Sequence, residues 1–266
     1  MAGTDHQNDL AFGRGSWVRG ITWTGLIFLY FPIIVLIIYS FNDSRFTSHW
    51  GGFSLRWYEI MWKDTALWSA IRNTLIIAVA NTVLSTFLGT LAALALSRYR
   101  YRFSGLYHKT LHMPIIIPDI VQAVSLLMLF VFFNFTLGLF SIILAHASFS
   151  ISFVALVVMA RLAGFDHRLE EAAMDLGANR WQVFLKVILP NIFPGILAGA
   201  LLAFTLSIDD FVITFFTSGV GSTTLPLKIY SMIKFGITPE INAISTMLVL
   251  FSIIAVSGIH LFERKT

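Results

Sequence analysis

Three carboxylates stand inside otherwise apolar runs of this chain: Asp119, Asp209 and Asp210. No Lys or Arg shares those runs. A charge at the centre of a bilayer costs about 2.5–3.5 kcal/mol on insertion scales, so acids placed there normally face a cavity or a functional partner. With no base inside the same runs, the missing positive charge is expected to come from outside the chain, as a bound cation. Phe211 and Tyr230 are candidate aromatic contacts for it, two among many.

Each acid has a second reading. Asp119 follows Pro118 and precedes Gln122 by three, a helix-start pattern after a proline break. It serves as an N-cap or as a cation ligand, and both can hold, because broken helices line transport sites. Asp209 and Asp210 are adjacent and so about 100° apart on a helix, which keeps them from facing one line. One is expected to meet the cation and the other to bond a neighbour. The alternative is a purely structural pair.

Other chemistry is thinly represented. His146 lies near Ser141, Ser148 and Ser150, a set that invites a hydrolase reading. Histidine and serine in spans commonly hydrogen-bond a neighbouring helix or their own backbone, and that is the expectation here. The chain lacks G-x-x-x-x-G-K-[ST], H-E-x-x-H and G-x-S-x-G, so it has no phosphate-cradling loop, zincin helix or nucleophile elbow. It has no cysteine, and no metal-ligand set is expected. The Asn-x-Ser/Thr triplets at Asn42 and Asn134 are short enough to be chance.

The elements that must position the acids are membrane helices. The 266 residues are 57% hydrophobic and 12% charged, about half the charge of a soluble domain, and mean hydropathy is +0.79. Six runs are long enough to cross: Ile21–Phe41, Leu75–Leu96, Ile115–Phe135, Leu137–Ala160, Ile192–Phe216 and Ala243–Phe262. None alternates with period two, which disfavours a β-barrel. The third and fourth are expected to form a tight hairpin. The first is too long for a signal peptide and lacks a small-residue cleavage site, so it reads as an anchor. Gly195 and Gly199 in the fifth mark close helix packing.

Basic residues set the orientation. Arg14, Arg19, Arg98, Arg100, Arg102, Lys109, Arg161, Arg168, Arg180, Lys186, Arg264 and Lys265 flank one side, and Arg45, Arg56, Lys63, Arg72, Lys228 and Lys234 the other, 12 against 6 of the 18. The richer side is cytoplasmic. Both termini, with an N-terminal segment over residues 1–20, are then expected inside. Trp57, Trp62 and Trp68 suggest a helix lying in the outer interface.

Between the fourth and fifth spans, within a loop taken as residues 161–191, lies RLEEAAMDLGANRWQVFLKVILP (168–190). Asp166 can accept backbone N–H bonds at a helix start, with Glu170 and Glu171 in the early turns. Leu169, Ala172, Ala173 and Leu176 share one apolar, partly small face. Gly177 stops the helix in the left-handed conformation. Asn179 with Gln182 resembles a capping box for a second helix, whose apolar face is Trp181, Phe184, Leu185 and Ile188. Pro190 marks the return to the membrane. Four bases balance four acids over residues 161–186, which favours a protein partner over lipid. The alternative is a hairpin that merely closes the bundle.

EAAMDLG followed, after nine residues, by VILP resembles the E-A-A-x-x-x-G … I-x-L-P signature of ABC importer permeases, with Val187 in place of the usual Ile. LYFPIIVLIIYSFNDSRF, RWYEIM, AFTLSIDDFVITFF and TTLPLKIYSMIKFGITPEINAIST resemble the spermidine/putrescine permeases, specifically the C-type subunit, over nearly the whole chain. The resemblance implies an all-α integral membrane protein of the type I importer kind, a single permease domain of six spans with a cytoplasmic coupling helix-turn-helix. It implies a transport subunit and not an enzyme, in a bacterial inner membrane. Glu170, Glu171, Ala172, Ala173, Asp175 and Gly177 would dock on a separate ATPase. ATP and magnesium would be held there, with no cofactor on this chain. The implied partners are two ATPase copies, a second homologous permease and an extracytoplasmic polyamine-binding protein. Asp119, Asp209 and Asp210 would meet the polyamine, one of the last two bonding the second permease. The rival readings are an importer for thiamine, ferric iron or an opine, an ATPase-independent transporter or channel, and remotely a hydrolase built on His146.

Overall fold

A computed structural model of the chain describes residues 16–44, 49–98, 104–236 and 239–263. Those residues are helical: α1 (Ser16–Tyr39), α2 (Arg56–Lys63), α3 (Thr65–Arg98), α4 (Ser104–Ile116), α5 (Asp119–Phe132), α6 (Leu139–Ala163), α7 (Arg168–Asp175), α8 (Arg180–Val183), α9 (Leu189–Ile208), α10 (Val212–Thr217), α11 (Leu225–Phe235) and α12 (Pro239–Glu263). The chain divides into two compact units, one comprising residues 1–64 and 232–266, the other residues 65–231.

The second unit is organised on α3, α6 and α9, which pack on one another. Small residues permit the approach. Val154 of α6 is fully buried. A Cβ on Gly199 of α9 would lie 3.2 Å from its Cγ1, and one on Gly195 would lie 2.7 Å from Arg161 Cβ. The close packing read from Gly195 and Gly199 is therefore present, both glycines facing α6. Polar side chains join the same three helices. Asn81 of α3 donates to Ser150 Oγ of α6 at 3.1 Å and to the Ala203 carbonyl of α9 at 3.3 Å. Ser85 donates to Asn81 Oδ1 at 3.0 Å. A buried amide with no water to turn to is tolerated because each of its atoms finds a partner.

In the first unit α12 packs on α1 and α2. The chain between α1 and α2 is held by Asn42, whose side-chain amide donates to the His49 carbonyl at 2.8 Å and whose Oδ1 accepts from Gly51 N–H at 2.7 Å. The interfacial-helix expectation divides here. Trp57 of α2 is buried and donates from Nε1 to the Asn42 carbonyl at 2.7 Å, so it packs inward. Trp62 and Trp68 are exposed, the latter on α3.

Among the described residues, four helices are long and apolar enough to cross a membrane: Trp17–Tyr39, Thr65–Arg98, Leu139–Ala163 and Arg180–Ile208. Two of the expected spans need correction. Ile115–Phe135 is not one helix, because the chain bends by 111° between Gly105–Ile116 and Asp119–Phe132, and only the pair together passes as a span. Pro118 lacks an N–H and biases Ile117 away from helical ψ, which breaks the ladder there. α5 then packs mainly on α10, so the expected tight hairpin of third and fourth spans is not formed. Ile192–Phe216 is not one helix either: α9 ends at Ile208 and α10 starts at Val212. The sixth expected span, Ala243–Phe262, falls in α12, whose apolar described stretch is Pro239–Ile253.

Candidate functional site

The two breaks meet. Pro114 and Ile115 of α4, Asp119 and Gln122 of α5, and Asp209, Asp210 and Phe211 of the α9–α10 break line one cavity of about 470 Å³. That lies within the range of roughly 300–1,000 Å³ found for small-molecule sites. Phe149 and Phe153 of α6 form part of the wall. All three acids singled out from the sequence border this space, and no Lys or Arg is among the described residues lining it.

The acids differ in their surroundings. Asp119 is the first helical residue of α5, and Pro118, with φ −56°, takes the N-cap position. The N-cap reading of Asp119 is corrected: proline starts this helix, and the exposed carboxylate takes no part in the cap. Asp209 is the C-cap residue of α9 and is exposed. The two aspartates are not 100° apart on a continuous helix, because α9 ends at Ile208 and α10 begins only at Val212. Asp210 is half-buried and turned into the chain. Its Oδ2 accepts from Thr214 N–H and from Thr214 Oγ1, each at 2.8 Å, and Oδ1 faces Ile213 N–H at 3.4 Å. It therefore performs the N-cap role for α10.

His146 of α6 completes this arrangement. Its Nδ1 is 2.7 Å from Ser207 Oγ of α9, and its Nε2 is 2.9 Å from Thr214 Oγ1 of α10 and 3.2 Å from Asp210 Oδ2. The expected bonding to neighbouring helices is what this histidine does. Ser141 likewise donates to the Thr217 carbonyl at 2.8 Å, and Ser148 to the Ala145 carbonyl of its own helix at 2.7 Å. What the sequence did not disclose was the acid at the other end of the bond. Gln122 reads in the sequence only as a capping partner. Its Nε2 donates to Ser148 Oγ at 3.3 Å beside the cavity. The available signal was a polar residue one turn after Asp119 in an apolar run. Phe211 borders the cavity and its ring centroid is 4.6 Å from that of Tyr230.

The 168–190 stretch forms a second candidate site. Asp166 Oδ1 accepts from Arg168 N–H at 2.9 Å and opens α7. Gly177, at φ +87°, closes it. Its N–H bonds the Met174 carbonyl at 2.9 Å, and Ala178 N–H bonds the Ala173 carbonyl at 3.0 Å, the two bonds of a Schellman motif. Asn179 and Gln182 cap α8 reciprocally, each backbone N–H bonding the other's side chain at 2.9 Å. Pro190 does not return the chain abruptly. α8 runs through a π-helical turn, Phe184–Ile188, straight into α9, and Pro190 is accommodated just after that turn.

The backbone of this hairpin is satisfied but its outer face is bare. No residue of α7 is buried. Leu176 is 89% exposed and Trp181 66% exposed. Glu171, Ala172, Asp175 and Gly177 are exposed too. Glu170 turns inward to an ion pair with Arg98 of α3, and its Oε1 is 3.4 Å from His167 Nδ1. Ala173 is partly buried and packs against the core cluster that includes Leu162, Val183 and Ile188.

Residues 85–266 match the family described as binding-protein-dependent transport system inner membrane component. The chain is 42% identical over 251 residues to the spermidine/putrescine transport system permease protein PotC of Escherichia coli (strain K12), covering 94% of this chain and 95% of that one. It is 42% identical over 248 residues to the putrescine transport system permease protein PotI of the same strain, covering 91% and 88%. Its fold resembles a chain of the bacterial alginate ABC transporter in complex with alginate pentasaccharide-bound periplasmic protein, with TM-score 0.70 at 18% identity over 94% of this chain and 93% of that one.

Proposed function

The chain belongs to the binding-protein-dependent transport system inner membrane components, and from that premise we propose that it forms half of the translocation path of an ATP-driven polyamine importer. It is a transport subunit of the inner membrane, related at 42% identity to spermidine/putrescine and putrescine permeases. The observation that carries the substrate reading is the cavity bordered by Asp119, Asp209 and Asp210 and by aromatic rings. A polyamine is a flexible chain of ammonium groups, and separated carboxylates with aromatic faces match it chemically.

In this reading α4 and α5 together make one crossing and α12 another, giving six, with both termini and the 168–190 hairpin in the cytoplasm. The hairpin is the coupling element. Its bare apolar and acidic face, Leu176 and Trp181 beside Glu171 and Asp175, docks on a separate ATPase that holds ATP and magnesium. Two ATPase copies, a second permease and an extracytoplasmic binding protein complete the machine. ATP binding draws the hairpins together and opens the path outward to the loaded binding protein; hydrolysis returns it inward. Because α8, the π-helical turn and α9 are continuous, a displacement of the hairpin is transmitted along one helix to Asp209.

The test is uptake by the reconstituted transporter. Radiolabelled spermidine should enter vesicles only with ATP, ATPase and binding protein all present, and putrescine should compete where thiamine does not. ATP-independent flux, or competition by thiamine alone, refutes the polyamine reading.

A further inference from the structure

Three acids border the cavity, but they are not equivalent, and His146 is the reason. A single side chain from α6 reaches across the α9–α10 break and bonds both of its ends. Nδ1 meets Ser207 one residue before α9 stops, and Nε2 meets Thr214 in the first turn of α10. The hydrogens can be assigned by counting. Thr214 Oγ1 donates its one hydrogen to Asp210 Oδ2 at 2.8 Å. Toward His146 it can only accept, so Nε2 carries a hydrogen. That N–H points at Thr214 Oγ1 and lies 3.2 Å from Asp210 Oδ2.

Asp210 is thereby used up. Its carboxylate takes the Thr214 N–H and hydroxyl and sits against the imidazole, and His146 itself is only 1% exposed. Asp209, one residue earlier, is exposed at the cavity wall, as is Asp119 across the cavity. Residues 207–212, SIDDFV, contain neither Gly nor Pro, so the local hold on the break is the Asp210 cap on α10. The pin that ties both ends together comes from another helix.

The geometry points to His146 as a positioning residue that fixes the α9–α10 break, holds the Asp210 carboxylate at the cavity wall in bonds within the chain, and leaves Asp119 and Asp209 as the pair that binds the cationic groups of the substrate. This rests on the polyamine reading for the identity of the cation, but not for the division among the acids. Two free carboxylates on this half of the path suit two ammonium groups of one polyamine.

The experiment uses the assembled transporter and radiolabelled spermidine. Asp209→Asn is expected to raise the apparent KM about tenfold, the range of a hydrogen bond to a charged group. Asp210→Asn keeps an oxygen to cap α10 and is expected to change KM less than about twofold. His146→Phe retains the ring but loses both bonds, and is expected to raise KM several-fold. Combined with Asp209→Asn it should add nothing, because the placement of a carboxylate that has been removed no longer matters. His146→Gln, which retains a donor, should restore part of the loss. A histidine that merely stabilised the bundle would lower the maximal rate and multiply with Asp209→Asn. That outcome, or equal KM changes for Asp209→Asn and Asp210→Asn, overturns the proposal.

A second readout needs no substrate. The chain is naturally free of cysteine. A cationic methanethiosulfonate should label the Asp209→Cys protein at least about tenfold faster than the Asp210→Cys protein, given their difference in burial. Equal rates overturn the division even if spermidine proves not to be carried; failure of wild-type uptake with unequal labelling removes the substrate reading alone.

Discussion

At the α9–α10 break the side chains freed by the end of a helix are collected inside the protein. Asp210 caps α10, Ser207 and Thr214 bond one imidazole, and Asp209 is left facing a cavity. At the 168–190 hairpin the backbone is equally well satisfied, through a Schellman turn and a capping box, but the side chains turn outward. Both are interruptions of helix, and both are built from acids and aromatic residues. The difference lies in what completes them. The break is completed by α6 of the same chain, and the remaining charge is offered to something small. The hairpin keeps a broad apolar and acidic face that the described residues leave exposed, a surface suited to another protein. One helical run, residues 180–208, joins the two.

The contrast can be broken at several points. The largest effect is expected at the hairpin, where Glu171→Lys should reduce ATP-driven uptake more than about a hundredfold while thermal unfolding of the purified subunit shifts little, and Gly177→Asp should do the same with an added loss of about 1 kcal/mol from the side chain forced to φ +87°. Normal uptake by both variants would return the hairpin to a structural role. Next comes the cavity: Asp209→Asn raises the apparent KM about tenfold with ATPase coupling intact, so hairpin and cavity variants separate into rate and affinity defects. Gly199→Leu acts beneath both. Its Cβ would stand 3.2 Å from Val154 Cγ1, and overpacking there costs about 1–3 kcal/mol. A melting temperature within a degree of wild type would show that α6 and α9 part more readily than their packing implies. The smallest effect belongs to Asn179→Ala, which removes one capping bond and about 1 kcal/mol, read as faster amide exchange confined to α8.

The hairpin was legible almost residue by residue. Caps and turns depend on groups two to five positions apart, and the side-chain oxygens of Asp166 and Asn179 and the glycine at 177 state their geometry locally. Pro190 misled, since a proline after a π-helical turn sits in the first turn of α9 and interrupts nothing. Pro118 was legible as a break, though not that it would bend the chain by 111°. The break after Ile208 was not legible, because no residue there forbids a helix. The acids could be recognised as misplaced charges but not sorted, and His146 could be recognised as bonded but not to what.

The sequence by itself determined the membrane class, the helical content and the stop-and-start grammar of the hairpin, because these follow from transfer energies, φ preferences and hydrogen bonds within one or two turns. The tertiary structure alone decided that α5 meets α10, that Asp119 shares a cavity with Asp209, and that Asp210 is spoken for. The last of these rests in part on bonds between residues 61 and 68 positions apart, Ser207 and Thr214 to His146. Partners that distant are chosen by how whole helices pack, and no window on the sequence contains both ends of the bond.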